Sequence, residues 1–402
     1  METGSLRLPT FDAADPAVLA DPYPRYAELR RAGPLARGGV GQWVVSRHAD
    51  VAALLRDRRL GTEYPPEYHE FSNGTGPARD FFERIILDRD PPAHTRLRRL
   101  MGAAFSPRLV QRMERQIARV TAGLLGPLAE RGRFDAVADL AFPLPVTVVC
   151  ELLGIPAADR DLVRPKAVDL CLGFASVVPA HQRATVDAAV VWLRDYVGSL
   201  LDERRRVPRE DLLSTLLAAE ADGETLTREE IVDNAVFLFF AGFETTVNLI
   251  ATGCAALLSH PDQWARLRGD RTLVGTAVEE FLRYDAPIQL TARLVREPVD
   301  VGGRTIRAGR VLVLLLGSAN RDEHRFADPD RLDVGRSPNP HVSFGGGPHH
   351  CLGAVLARAE GRVVFEHLLA RFAAIEPAGP AVRRRDATFR GLAGVPVAVR
   401  AA

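Results

Sequence analysis

From Ile231 to Leu258 the chain is apolar on nearly every side, a run opened by Thr227 and closed by His260-Pro261. Thr227 and Glu230 have the spacing of a capping box, in which a hydroxyl and a carboxylate each satisfy the other residue's backbone N–H. A proline after His260 stops the helix. At 1.5 Å per residue, roughly 30 residues make a rod about 45 Å long. A helix that is apolar all round has no face to give to water, so it crosses the interior and the rest of the chain is wrapped around it. One segment breaks the pattern: Ala241-Gly242-Phe243-Glu244-Thr245-Thr246. A carboxylate there is costly without a task or a partner. Gly242 lets the helix open, and a threonine hydroxyl can replace a backbone hydrogen bond. A satisfied buried Glu244 beside a bend also accounts for it.

Around that rod, most of Ala93 to His260 carries apolar residues at spacings of three and four, which reads as helix. A further helix is expected over about Asp270 to Tyr284. Short β-prone pieces follow at Val299-Gly302, Thr305-Ile306 and Val311-Leu315. An irregular stretch, Asn320 to Gly347, precedes a last helix from about Leu352 to Phe372. The chain therefore reads as mainly α with a small β part. It shows no repeat, linker or internal boundary, so residues 1–402 are expected to form one domain.

Composition adds exclusions. Apolar residues are 47% and charged residues 26%, an ordinary folded balance. A formal net charge of +1 gives no global field towards nucleic acid or a membrane surface. Met1 to Arg30 is interrupted by Pro9, Pro16, Pro22 and Pro24 and carries no apolar targeting segment, so a cytoplasmic location is the simplest expectation. The four cysteines are far apart and show no CxxC pair, which argues against a zinc site or disulfide scaffold. Cys150, Cys171 and Cys254 lie among apolar residues and read as inert core.

Cys351 differs. It follows Phe344-Gly345-Gly346-Gly347-Pro348-His349-His350 and precedes Leu352-Gly353. Glycines allow a backbone to approach a flat ligand closely. A cysteine at a helix start meets free N–H groups and the positive end of the dipole, which stabilise a thiolate. Gly353 leaves the sulfur open to a large partner. On its own, a glycine-rich turn with a buried structural cysteine fits as well.

Phe344, Gly347, Cys351 and Gly353 match the spacing FxxGxxxCxG and resemble the haem-binding loop of the cytochrome P-450 superfamily. The resemblance implies the cytochrome P-450 fold, haem b (iron protoporphyrin IX) as cofactor and Cys351 as the iron ligand. Glu244 and Thr245 are similar to the family's (A/G)Gx(E/D)T, which implies that they relay protons on the distal side and hold the water network. Glu280 and Arg283 stand three apart, by themselves a commonplace surface pair. They fit the family's ExxR, which with Arg331 would make a buried structural network. His94 and Arg98 share a helix face, where two cations suit an anion or simply solvent. The resemblance makes them, with Arg293 and His349, contacts to the haem propionates.

The family pattern also implies a substrate wall of Phe237, Phe240, Ala241, Ile288, Gln289 and Leu392, with Tyr64 to Phe82, Leu170 to Val178, and Leu392 to Val395. These are predominantly apolar, so the substrate is expected to be hydrophobic. The implied reaction puts one oxygen atom of dioxygen into a C–H or C=C bond. Electrons would come from NAD(P)H through a ferredoxin-type donor and its reductase, and the protein would act as a monomer in bacterial specialised metabolism. Arg96, Arg99, Arg108 and Arg358 would face that donor, or be ordinary solvated charges. Arg204-Arg205-Arg206 and Arg383-Arg384-Arg385 read as solvated loops. Two rivals remain from the residues alone. A haem sensor or carrier would keep Cys351 but not require Glu244-Thr245. A cofactor-free helical interaction protein would leave the glycine-rich loop unexplained.

Overall fold

The apolar run folds as one helix, Arg228–Ser259, of 32 residues. Its start is the expected capping box, with Glu230 N donating to Thr227 Oγ1 at 3.2 Å and Thr227 N donating to Glu230 Oε2 at 2.9 Å. In this computed structural model, residues 8–402 are described apart from Val40, Ser106, Ser176 and Asp222. Residues 1–7 of the proline-broken N-terminus and Ser176 of the expected 170–178 wall lie outside the described residues.

The helix is long and apolar enough to cross a bilayer, but 78% of its apolar 18-residue window is buried within the protein. Phe239, Phe243, Ile250 and Leu257 are each almost fully buried, and every such side chain contributes roughly 1.5–3 kcal/mol by leaving water. The helix packs against Pro143–Leu153, Ala180–Arg206, Val274–Tyr284 and Ala354–Arg371. Gly242 does not open it: the segment is regular α-helix. A Cβ on Gly242 would lie 3.0 Å from Val149 Cγ2. The glycine lets the Pro143–Leu153 helix come close, a tertiary demand that local pattern does not reveal.

The β part is larger than expected. A six-stranded sheet runs Thr10–Phe11, Leu35–Gly38, Trp43–Val45, Val311–Leu314, Thr291–Val295, Leu60–Gly61. Val311–Leu314 joins its two halves, parallel to Trp43–Val45 and antiparallel to Thr291–Val295. Arg293 stands opposite Leu312 in that register. A hairpin of Val382–Arg383 with Leu392–Gly394 lies beyond the last helix.

Boundaries shift in two places. A separate helix, Pro261–Gly269, follows the proline stop, and the next begins at Val274 after a short turn. The last helix starts at Ala354, so Cys351 sits just ahead of its N-terminus.

Candidate functional site

On the buried central helix one stripe is partly open: Phe237, Ala241 and Thr245, four residues apart, with Gly242 beside them. That spacing puts them one above another on a single face. Thr245 Oγ1 donates to Ala241 O at 2.9 Å, and Thr246 Oγ1 to Gly242 O at 3.1 Å. Phe240 is turned off the stripe and is 3% exposed. Its ring stacks on Phe174 at 3.7 Å and meets Phe389 edge-on at 5.7 Å. Phe174 also meets Phe82 at 4.9 Å. An aromatic wall thus gathers residues from four segments distant in the chain.

Cys351 stands on a compact loop just ahead of the last helix. Its N–H donates to Phe344 O at 2.9 Å, closing the turn. Gly347 has φ +65°, and a Cβ there would lie 2.4 Å from Leu55 O, so no other residue fits. A Cβ on Gly353 would meet no protein atom within 4 Å. The Cys351 side chain is solvent-exposed. Burial raises its thiol pKa, and the Gly353 N–H, Arg98 and Arg358 oppose that rise.

Beside it gather two arginines and two imidazoles: Arg98 acts on the Cys351 thiol, and His94, Arg293 and Arg98 act on His349. The His94 and His349 rings lie 4.1 Å apart, and His349 Nε2 is 3.1 Å from Thr62 Oγ1. Arg293, 6% exposed, donates only to Thr291 Oγ1 and Ala292 O. Among the described residues, neither Arg98 nor Arg293 has an ion pair within 4 Å. Burial lowers the pKa of both arginines. Burial, then His94, Arg293 and Arg98, press His349 down to about 3. Two arginines with no ion pair of their own, beside two imidazoles pressed towards their neutral form, make a site that a strongly anionic group would relieve. The two carboxylates of a haem beside a free thiol match that donor set.

The Glu280–Arg283 pair is fully buried, with contacts of 2.8 Å from both Nε and Nη2. The third arginine is not Arg331. Its side chain is exposed, and only its carbonyl takes part, accepting from Arg283 at 3.2 Å. Arg336 Nε reaches both Glu280 oxygens, at 3.2 and 3.1 Å. The segment has no helical or strand period, so nothing local ties one arginine rather than the other to the inner face.

Other expectations also change. Ile288 is partly open to the cleft, but Gln289 is 2% exposed and donates to Tyr23 Oη and Ala286 O. Neighbours in extended chain point to opposite sides, so only one can line the cleft. Leu392 is buried core at 2%. Phe389, which bridges to Ile288, takes its place at the wall. The arginine runs are not simply solvated. Arg204 is fully buried against Asp211 and Gly154 O. Arg383 pairs with Asp285 at 2.7 Å, and Arg384 pairs with Glu244. Of the four supposed donor-facing cations, Arg96 pairs with Glu230, Arg99 with Glu224 at 3.0 Å, and Arg358 with Glu279 at 2.7 Å. Arg108 is exposed.

The family model described as Cytochrome P450 matches residues 160–395, more than half of the chain. The vitamin D(3) 25-hydroxylase of Pseudonocardia autotrophica is 40% identical, over 94% of this chain and 93% of the relative. Cytochrome P450 monooxygenase PikC of Streptomyces venezuelae is 39% identical, over 94% and 91%. Among solved structures, P450BioI in complex with a hexadec-9Z-enoic acid-ligated acyl carrier protein is 35% identical, with TM-score 0.90 over 96% of this chain and 100% of that one.

Proposed function

Because the chain belongs to the cytochrome P450 family, we propose that Cys351 is the thiolate that holds its haem, with His94, Arg98, Arg293 and His349 at the propionates. The protein is a haem-thiolate monooxygenase. It inserts one oxygen atom of dioxygen into a hydrophobic organic substrate, with electrons from NAD(P)H through redox partners. The haem, when bound, supplies the activation of dioxygen, and a cysteine ligand lends it electron density.

The chain's own residues supply the rest. Gly347 and the Cys351–Phe344 hydrogen bond set the sulfur's position. The Glu280–Arg283–Arg336 network braces the segment before the loop: Glu280 accepts from Asp333 N at 2.9 Å and from Asn339 Nδ2 at 3.1 Å. Phe237, Ala241, Ile288, Phe240 and Phe389 exclude water and favour an apolar substrate. Thr245 holds an ordered hydroxyl on the open stripe, and Glu244 is the acid that passes protons to that face. We read the donor as a ferredoxin and the protein as a one-domain cytoplasmic monomer acting in specialised metabolism. Arg108 with Arg99, at the more exposed end of the cation set, is the docking pair we assign.

The observation that carries this reading is the gathering of Arg98, Arg293, His94 and His349 beside the free Cys351 thiol, with neither arginine ion-paired among the described residues. Its test is the carbon-monoxide difference spectrum of the reduced protein. Wild type is expected to give the thiolate-type band. Cys351→Ala should lose it, and Arg98→Ala with His94→Ala should lower haem retention at least tenfold. A colourless wild-type protein expressed with haem precursor would overturn the assignment. Arg99→Glu with Arg108→Glu should slow reduction by ferredoxin and flatten its salt dependence.

A further inference from the structure

Glu244 and Thr245 are adjacent, but successive residues of a helix are about 100° apart. Thr245 faces the open stripe, whereas Glu244 is 5% exposed on a different face. Two side chains fix its carboxylate there, and a third lies beside it. Arg384 Nη2 is ion-paired with Oε1. Asn248 Nδ2 donates to the same oxygen at 3.2 Å, and Asn248 Oδ1 accepts from Arg384 at 2.9 Å, closing a ring of three. The third, the Cys171 thiol, lies 4.0 Å from Oε2 and donates to Ala167 O at 3.1 Å. Burial and then Glu244 hold that thiol protonated.

Arg384 is built into this position. A Cβ on Gly391 would lie 2.1 Å from Arg384 Nη2 and 2.4 Å from Nε, so the guanidinium lies flat across a glycine on the facing arm of the hairpin. Arg384 N also donates to Gly391 O at 3.1 Å. The Arg384 side chain is 38% exposed while Glu244 is 6% exposed. It spans from solvent to the buried acid. The other charge facing the ring is Asp386, near both Arg384 and Cys171.

We propose that Arg384 is a positioning residue that parks the Glu244 carboxylate off the Thr245 face and connects it to solvent. Letting go of the pair frees the carboxylate to swing about the helix towards the open stripe. The inference rests on Glu244 being the proton carrier, and its test separates the two ideas.

The test uses haem-loaded wild type, Arg384→Ala, Arg384→Lys, Gly391→Ala and Glu244→Gln. Infrared spectroscopy against pH follows the protonated-carboxyl band that Glu244→Gln deletes. Losing a close cation raises a buried carboxyl pKa by about one to three units. Arg384→Ala should therefore move the Glu244 titration up by that amount, and Arg384→Lys should restore most of it. Gly391→Ala should move it in the same direction, because the added methyl displaces only the flexible end of Arg384. Substrate-free NADH oxidation with ferredoxin and reductase, in H2O and D2O, should show its pH midpoint moving in parallel. A Glu244 titration unchanged in Arg384→Ala would overturn the proposal. Unaltered NADH oxidation and isotope effect in Glu244→Gln would overturn Glu244 as proton carrier, with the infrared result still deciding whether Arg384 controls its charge.

Discussion

Thr245 and Glu244 show how much a single helical step decides. One residue faces the cleft and the other is locked behind it by Arg384 and Asn248. Thr245→Ala removes a hydroxyl that holds only Ala241 O, so the helix should keep its shape and its haem. The expected loss is coupling: less product per oxygen consumed, measured by oxygen uptake against product. A variant that stays fully coupled would remove Thr245 from the proton path. Arg331 and Arg336 make the same point for stability. Glu280 is shared by Arg283 and Arg336 in a buried network, and removing one partner of such a set typically costs about 3–5 kcal/mol. Arg336→Ala, with its side chain 11% exposed, should approach that range in denaturant unfolding. Arg331→Ala, at the surface, should stay within about 0.5 kcal/mol.

At the scale of elements, the central helix was legible because its evidence is local. Cap, apolar run and proline stop all lie within one stretch of chain. The same holds for the cysteine loop, where four residues at fixed spacing carried the assignment. The pocket wall was less legible. Phe240 was expected to line it directly, and instead stacks under Phe174 from a segment more than 60 positions away. Phe240→Ala should enlarge the cleft and cost about 3–5 kcal/mol, the usual loss for a buried phenylalanine. Substrate-induced spin-state shifts should then favour bulkier ligands. The Val382–Arg383 hairpin was read as solvated because a run of arginines looks alike whether it points out or in. Only its pairing with Leu392–Gly394 sends Arg384 inward.

For the whole molecule, net charge near zero hides a strongly organised interior of charges. Among the described residues most buried acids have a cation, but Glu360 has none: it is 2% exposed, and its Oε2 has no hydrogen-bond partner. Burial pushes its pKa up to about 8. A raised pKa favours the folded state below the unfolded value and loses that advantage as pH rises through the folded one. Between about 4.5 and 8 the unfolded chain ionises while the folded one stays neutral, so stability falls with pH by an amount on the order of 3 kcal/mol by neutrality. Glu360→Gln should match wild type near pH 4 and exceed it progressively up to pH 8 in denaturant midpoints.

The sequence by itself determined what depends on neighbours in the chain. It set the buried central helix, the thiol loop, the Glu280–Arg283 spacing and, through these together, the family and its chemistry. Tertiary structure alone decided which arginine completes each buried acid: Arg336 for Glu280 and Arg384 for Glu244. It also decided that Gln289 and Leu392 turn from the cleft while Phe389 enters it. The reason is physical. Caps, periods and close-spaced motifs are short-range geometry, written residue by residue. An arginine's long side chain can reach a carboxylate from many points along the chain, and packing selects among them only once the segments have met.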